Sequence, residues 1–240
     1  MRTMIITGTG TDVGKTVVTA AVAALAAAAG DRVVVVKPAQ TGIAPGEPGD
    51  LADVERLTGH RVRTLELARY PEPLAPATAA RRSGLPPLHV ADVEKALAGI
   101  DDADLVLVEG AGGLLVRLND DGETLADLDL PVLLVATAGL GVLNTAALTA
   151  EALASRRRDL LGTVVGAYPE HPDLAERTNL ADLPRVTGRP LLGVLPADLG
   201  RSAPDDLEAA ARCGLHPVLG GQWIEPSDVR QTPDGSTPDA

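Results

Sequence analysis

Apolar residues along this chain come in short unbroken runs rather than in alternation: residues 4–7, 33–36, 105–108, 132–136, 163–165 and 191–195. A strand covered by helices on both faces has no polar side, so such runs predict a parallel sheet buried between two helical layers. Stretches compatible with helix lie between them, at residues 15–29, 92–98, 145–157 and 205–212. Strand alternating with helix predicts an α/β fold, a single-domain doubly wound parallel sheet flanked by helices. Ligands in such folds bind beyond the carboxyl ends of the strands. Chemistry-bearing residues follow that rule, with residues 8–16 after the first run, Lys37 after the second, Glu109 after the third, residues 137–144 after the fourth, Gly166 after the fifth and residues 196–198 after the sixth. Residues 68–88, rich in Pro and Arg, are expected to form a long loop with room for one helical turn. Residues 1–225 are expected to form the domain, and residues 226–240, almost without apolar side chains, a disordered tail.

Composition narrows the function classes. The chain has 240 residues, 45% of them hydrophobic, enough for one large buried core. Tyr70, Tyr168 and Trp223 are its only aromatics, so the core must be packed from Ala, Val and Leu, and platforms for stacking bases are lacking. A formal net charge of −12 further disfavours a nucleic-acid partner. The single cysteine, Cys213, permits no internal disulfide and fits a reducing compartment. His60, His89, His171 and His216 lack metal-ligand spacing and are expected on the surface or in loops. Residues 16–30 carry no charge but are too short to span a membrane, and Asp12 and Lys15 interrupt any signal-peptide core. They read as a buried helix of a cytoplasmic protein that takes no membrane partner. Arg156, Arg157 and Arg158, the one basic run, read as charge complementing a helix C-terminus, with no partner.

The strongest chemical signal is Gly8-Thr9-Gly10-Thr11-Asp12-Val13-Gly14-Lys15-Thr16, set between a first strand and a first helix. A triphosphate needs converging N–H donors, and a Gly-containing loop that feeds a helix N-terminus supplies them together with the positive end of the helix dipole. Lys15 would reach the β- and γ-phosphates of ATP, and the Thr16 hydroxyl would ligate Mg²⁺. A mere connecting turn is the bland alternative, which Gly-Lys-Thr at a helix start makes improbable. Five residues separate Gly8 from Gly14, where the common phosphate-loop pattern has four, so the loop belongs to a deviant class. In Lys37-Pro38-Ala39-Gln40-Thr41-Gly42, a lysine closing four valines should project toward an anion; alone it would read as a solvated strand-end lysine, but Pro38 fixing the exit direction and Thr41-Gly42 nearby shift the balance. Asp50 reads equally as a helix N-cap or a metal-associated carboxylate. Glu109, in Val108-Glu109-Gly110-Ala111-Gly112-Gly113, ends a strand and precedes glycines that let backbone approach a ligand. Thr16, Asp50 and Glu109 would together suit Mg²⁺ on a nucleotide.

These three motifs, in this order and near these spacings, resemble the dethiobiotin synthetase family over residues 1 to about 200. The resemblance implies a P-loop NTPase fold, with ATP as co-substrate and Mg²⁺ as cofactor. It implies a reaction in which 7,8-diaminopelargonic acid takes up CO₂ as a carbamate, ATP phosphorylates the carbamate, and the second amine displaces phosphate to close a ureido ring. It implies nucleotide contacts from Gly10, Thr11, Asp12, Val13, Gly14, Lys15, Thr16, Val17, Asp50, Glu109, Gly110, Ala111, Gly112, Gly166, Pro196, Ala197 and Asp198. Lys37 and Lys15 would be catalytic, and Thr11, Lys37, Thr41, Gly110 and Ala111 would contact the substrate. It further implies a homodimer in which Val142, Leu143 and Asn144 reach the partner's substrate carboxylate, although Asn144 also reads as a plain N-cap. Many family members carry an asparagine that reads adenine where this chain has Gly166, so relaxed base selectivity is expected.

Three rival readings fit less well. A P-loop amidoligase synthetase usually continues into a glutaminase domain with a catalytic cysteine. A partitioning-type ATPase carries a lysine ahead of Gly-Lys-Thr, and residues 9–13 contain none. A nucleotide-binding regulator without catalysis would have little use for Lys15, Thr16, Lys37 and Glu109 together.

Overall fold

A computed structural model describes residues 1–223; the expected disordered tail, 226–240, lies outside the described residues. The elements in chain order are β1 (Arg2–Gly8), α1 (Lys15–Ala28), β2 (Val33–Thr41), α2 (Asp50–Leu57), β3 (Arg63–Tyr70), α3 (Pro76–Ser83), α4 (Val90–Ala98), β4 (Leu105–Gly113), β5 (Val132–Ala136), α5 (Val142–Ser155), β6 (Leu160–Tyr168), α6 (Leu174–Thr187), β7 (Leu191–Pro196) and α7 (Pro204–Gly214). The strands form one sheet in the order β3-β2-β4-β1-β5-β6-β7, every pairing parallel. One face is covered by α1, α2 and α7, through Val18, Leu51, Val54, Leu207 and Ala211 among others. The opposite face is covered by α3 to α6, through Ala79, Val93, Ala146 and Leu183. This is the doubly wound sheet that the apolar runs predict, and α1 is the buried helix expected, with Val18 to Leu25 all buried.

Strand β3 was not among the expected elements. Its sequence mixes charged with apolar residues, as a strand at a sheet edge can, and so contains no unbroken apolar run. The expected loop 68–88 is corrected in the same region: its start completes β3, and Pro76–Ser83 form an eight-residue helix. Pro76 sits in the first turn and Gly84 closes the C-terminus with φ 66°, which are the signals of a short helix. Helix α6 was also missed. An Asp173/Glu176 capping box starts it, but Pro184 lies inside it and breaks the periodic pattern. Arg158 is tied within the chain to Asp129 and to the carbonyls of Ala126 and Asp127.

The sheet opens where the candidate site lies. Pairing of β2 with β4 ends at Val36↔Val108, although both strands continue, β2 held by β3 and β4 by β1. Pro38, which has no N–H to give to a ladder, lies just past the point where the two strands part. Lys37 and Glu109 are the first residues past that point. They are not at strand ends, as the apolar runs suggested; each strand runs four residues further, to Thr41 and Gly113.

Candidate active site

The loop after β1 reaches α1 at the place where the chain switches from one side of the sheet to the other, β1 lying between β4 and β5. Gly14 has φ 91°, a conformation that an L side chain resists. Lys15, 8% exposed, donates from Nζ to the carbonyl oxygen of Gly10 at 2.9 Å. Thr16 Oγ1 donates to Glu109 Oε1 at 2.9 Å. Lys37 Nζ donates to that same oxygen at 2.9 Å, to the Gly110 carbonyl at 3.3 Å, and pairs with Asp50 Oδ2. Lys37 is 2% exposed and Glu109 0%, so the two form a buried ion pair across the parted strands, and the bland alternative of a solvated lysine does not hold.

Electrostatics follow from this geometry. Burial pushes Lys15 below the ordinary lysine range, and the neighbouring Lys37 pushes it further. Burial works on Lys37 in the same direction, but Glu109 and Asp50 outweigh it and hold the ammonium above the ordinary range. Lys37 therefore carries its charge at neutral pH. Glu109 Oε2 is buried and has no hydrogen-bond partner among the described residues. A buried carboxylate oxygen without a donor is costly unless a cation completes it, so Thr16, Asp50 and Glu109 fit the oxygen-ligand chemistry of Mg²⁺.

Asp50 is placed from two directions. It is the first residue of α2, with Gly49 as the N-cap, so the N-cap reading of Asp50 is corrected. Gln40, 3% exposed, accepts the Asp50 N–H on Oε1 at 2.9 Å. Arg69 on the edge strand grips Glu66 with Nε at 2.7 Å and Nη2 at 2.8 Å, and donates to the Glu47 carbonyl at 2.7 Å, fixing the loop that leads to Asp50. Neither Gln40 nor Arg69 was expected, because each acts on backbone that only the fold brings near. Asp53 lies outside the cluster and pairs with Arg56 at 3.0 Å.

A cavity of about 790 Å³ opens over this network. Of the residues expected at the site, Thr11, Asp12, Gly14, Lys15, Thr16, Val17, Lys37, Thr41, Asp50, Ala111 and Gly112 line it. Ala39, Gln40, Val116 and Pro73 to Pro76 line it too, so the Pro-rich segment forms one wall.

The comparisons with known proteins agree with this geometry. The model of the AAA domain family matches residues 2–204. The ATP-dependent dethiobiotin synthetase BioD of Streptomyces avermitilis is 60% identical over 228 residues, 93% of this chain and 95% of that protein. The ATP-dependent dethiobiotin synthetase BioD of Saccharopolyspora erythraea is 61% identical over 228 residues, 93% of this chain and 99% of that protein. The chain belongs to the ATP-dependent dethiobiotin synthetase family.

Likeness to solved structures speaks to the fold alone. The MinC:MinD cell division protein complex of Aquifex aeolicus matches with a TM-score of 0.57 at 14% identity, covering 94% of this chain and 98% of that one. The septum site-determining protein MinD complexed with Mg-ADP from Pyrococcus horikoshii matches with a TM-score of 0.53 at 15% identity, covering 88% and 92%. Both likenesses agree with the doubly wound parallel sheet described above.

The remaining expected residues do not line the cavity. Gly166 packs beneath the phosphate loop: a Cβ there would collide with the Val13 carbonyl oxygen and approach Val135 Cγ1 to 2.8 Å, and a Cβ on Gly14 would come within 2.7 Å of the Gly166 oxygen. Pro196, Ala197 and Asp198 end β7 and its turn, with Ala197 N–H donating to Tyr168 O at 2.8 Å. The next turn reaches α1, since a Cβ on Gly200 would lie 3.6 Å from Val17. Val142, Leu143 and Asn144 form the first turn of α5, with Gly141 as its N-cap, so the N-cap reading of Asn144 is corrected. Leu140, just before them, is 93% exposed. Among the described residues no helix is long and apolar enough to cross a membrane.

Proposed function

We propose that this protein closes the ureido ring of dethiobiotin from 7,8-diaminopelargonic acid, CO₂ and ATP, with Mg²⁺ as cofactor. The observation that carries the reading is the convergence of Lys15, Thr16, Lys37 and Asp50 on one cavity, with Glu109 bonded to Thr16 and Lys37, in a chain about 60% identical to dethiobiotin synthetases along nearly its whole length. Phosphoryl transfer calls for positioning and charge neutralisation more than for a side-chain nucleophile. The loop 8–16 binds the triphosphate through its N–H groups and Lys15 neutralises the β- and γ-phosphates. Lys37 meets the carbamate and the transferred phosphoryl group, Thr11, Thr41, Gly110 and Ala111 hold the substrate, and Pro196 to Asp198 lie against the base or ribose. Mg²⁺, held by Thr16, Asp50 and Glu109, would neutralise phosphate charge. We read Val142, Leu143 and Asn144 as the end of the site that a second copy completes in a homodimer; the exposed Leu140 beside them supports that reading. We place the protein in the cytoplasm.

Purified protein given Mg²⁺, ATP and bicarbonate should release ADP only when the diamine is present, and the Lys37→Ala variant should not. ADP release indifferent to the diamine would sink the proposal and favour a partner-regulated ATPase. Because Gly166 offers no side chain to a base, CTP and GTP are expected to support turnover; rates far below that with ATP would remove this part.

A further inference from the structure

Lys37 and a divalent cation draw on the same two carboxylates. All three ammonium protons of Lys37 are taken, by Asp50, Glu109 and the Gly110 carbonyl, so the side chain is bound within the ligand set suited to Mg²⁺. Thr16, the third member of that set, donates to the very oxygen of Glu109 that Lys37 uses. Lys15 and Lys37 face Asp50, Glu109 and Asp12 around one crevice, two cations against three anions. A divalent cation entering alone would turn that balance positive beside two ammonium groups. Lys37 would also have to give up its carboxylates with nowhere to go, because its side chain is 3% exposed and an unpaired buried charge is strongly unfavourable. A triphosphate on the loop 8–16 changes both terms: it brings more negative charge than the ion brings positive, and it offers the ammonium a new partner.

We propose that Lys37 is also the resident counter-cation of the metal site, so that this site takes a divalent cation only together with a phosphate group that receives the Lys37 ammonium. The inference rests on the nucleotide and metal reading given above. It predicts that removing the charge of this lysine improves binding of the bare metal. Free Mn²⁺ titrated into the full-length protein and followed by its electron paramagnetic resonance signal should bind weakly to the wild type without nucleotide and tightly with ATP. In Lys37→Met, and in Lys37→Gln should the first fold poorly, Mn²⁺ without nucleotide should bind about tenfold tighter or more, as expected for removing one cation a few ångströms away. Lys37→Arg keeps the charge and should bind bare Mn²⁺ as weakly as the wild type, a pattern that a packing role would not produce. Equal or weaker Mn²⁺ binding by the neutral variants, with ATP-supported binding intact in the wild type, would overturn the inference and leave the site reading standing. Failure of the wild type to bind Mn²⁺ even with ATP would take down the metal reading, and the inference with it.

Discussion

The two halves of the sheet treat their expected residues differently. On the β1, β2 and β4 side, the residues expected to act on phosphate touch one another: Thr16 and Lys37 share one oxygen of Glu109, and Lys37 also holds Asp50. On the β5, β6 and β7 side, Gly166, residues 196–198 and Asn144 do not meet in a common cavity. Buried charges must find partners within the chain, so a single copy settles their arrangement. Backbone contacts to a base, or a carboxylate delivered across a homodimer, impose no such demand on one chain.

That contrast can be broken most forcefully at Lys37. Its replacement by alanine should lower diamine-dependent turnover by about 10³ or more, as losing a charge aimed at a developing anion does. Steady-state kinetics of ADP release would show it, and a loss of only a few-fold would remove the distinction between the halves. Glu109→Ala comes next. It leaves Lys37 with Asp50, itself partly exposed, as its one carboxylate partner, and should destabilise the fold by about 3 kcal/mol in urea unfolding, with Lys37→Met restoring part of the loss. Unchanged stability in Glu109→Ala would mean that the buried pair is not held as described.

On the other half, Gly166→Asn tests whether this position reads the base or seats the loop. Installing a side chain beneath Val13 should cost about 1–3 kcal/mol of overpacking and weaken ATP, CTP and GTP alike. A selective gain for ATP, measured by direct nucleotide binding, would return the position to base reading. Asn144→Ala should raise the KM for the diamine by about tenfold with little change in kcat, the size expected for one hydrogen bond to a carboxylate. An unaltered KM would leave α5 without a part in the site.

The smallest effect lies where β2 and β4 begin, at the end of the strands away from the site. Arg32 hydrogen-bonds Asp104 through its side chain and its backbone N–H, and holds that carboxyl down to about 2. A carboxyl lowered by folding stabilises the protein above its unfolded value near 4 and loses that contribution as pH falls toward the folded value. Asp104→Asn should therefore lose this contribution at neutral pH, by an amount that solvent screening keeps small, and flatten the acid limb of the stability curve between about pH 4 and pH 2. A steeper acid limb in the variant would contradict the assignment.

How much of this could be read from the chain depends on what each residue answers to. The six apolar runs became strands because a sheet covered on both faces leaves a continuous signal, and the phosphate loop was plain because phosphate binding constrains spacing. Strand β3 escaped because charged residues interrupt its apolar ones, and α6 because Pro184 obscured its period. Gln40 lies within a quoted motif yet gave no sign of its role, since its partner is a backbone N–H ten residues away. The paired state of Lys37 was equally hidden: four valines and a lysine do not say that β2 and β4 separate one residue earlier.

That separation reaches beyond chemistry. Where β2 and β4 part, no ladder joins them, and Lys37 reaching Glu109 and the Gly110 carbonyl is what stitches the gap. The seam is thus closed by groups that can be persuaded to let go, while the strands on either side stay zipped to their outer neighbours. A protein built this way has a rigid sheet with one unfastenable join, and the join runs through its reaction centre.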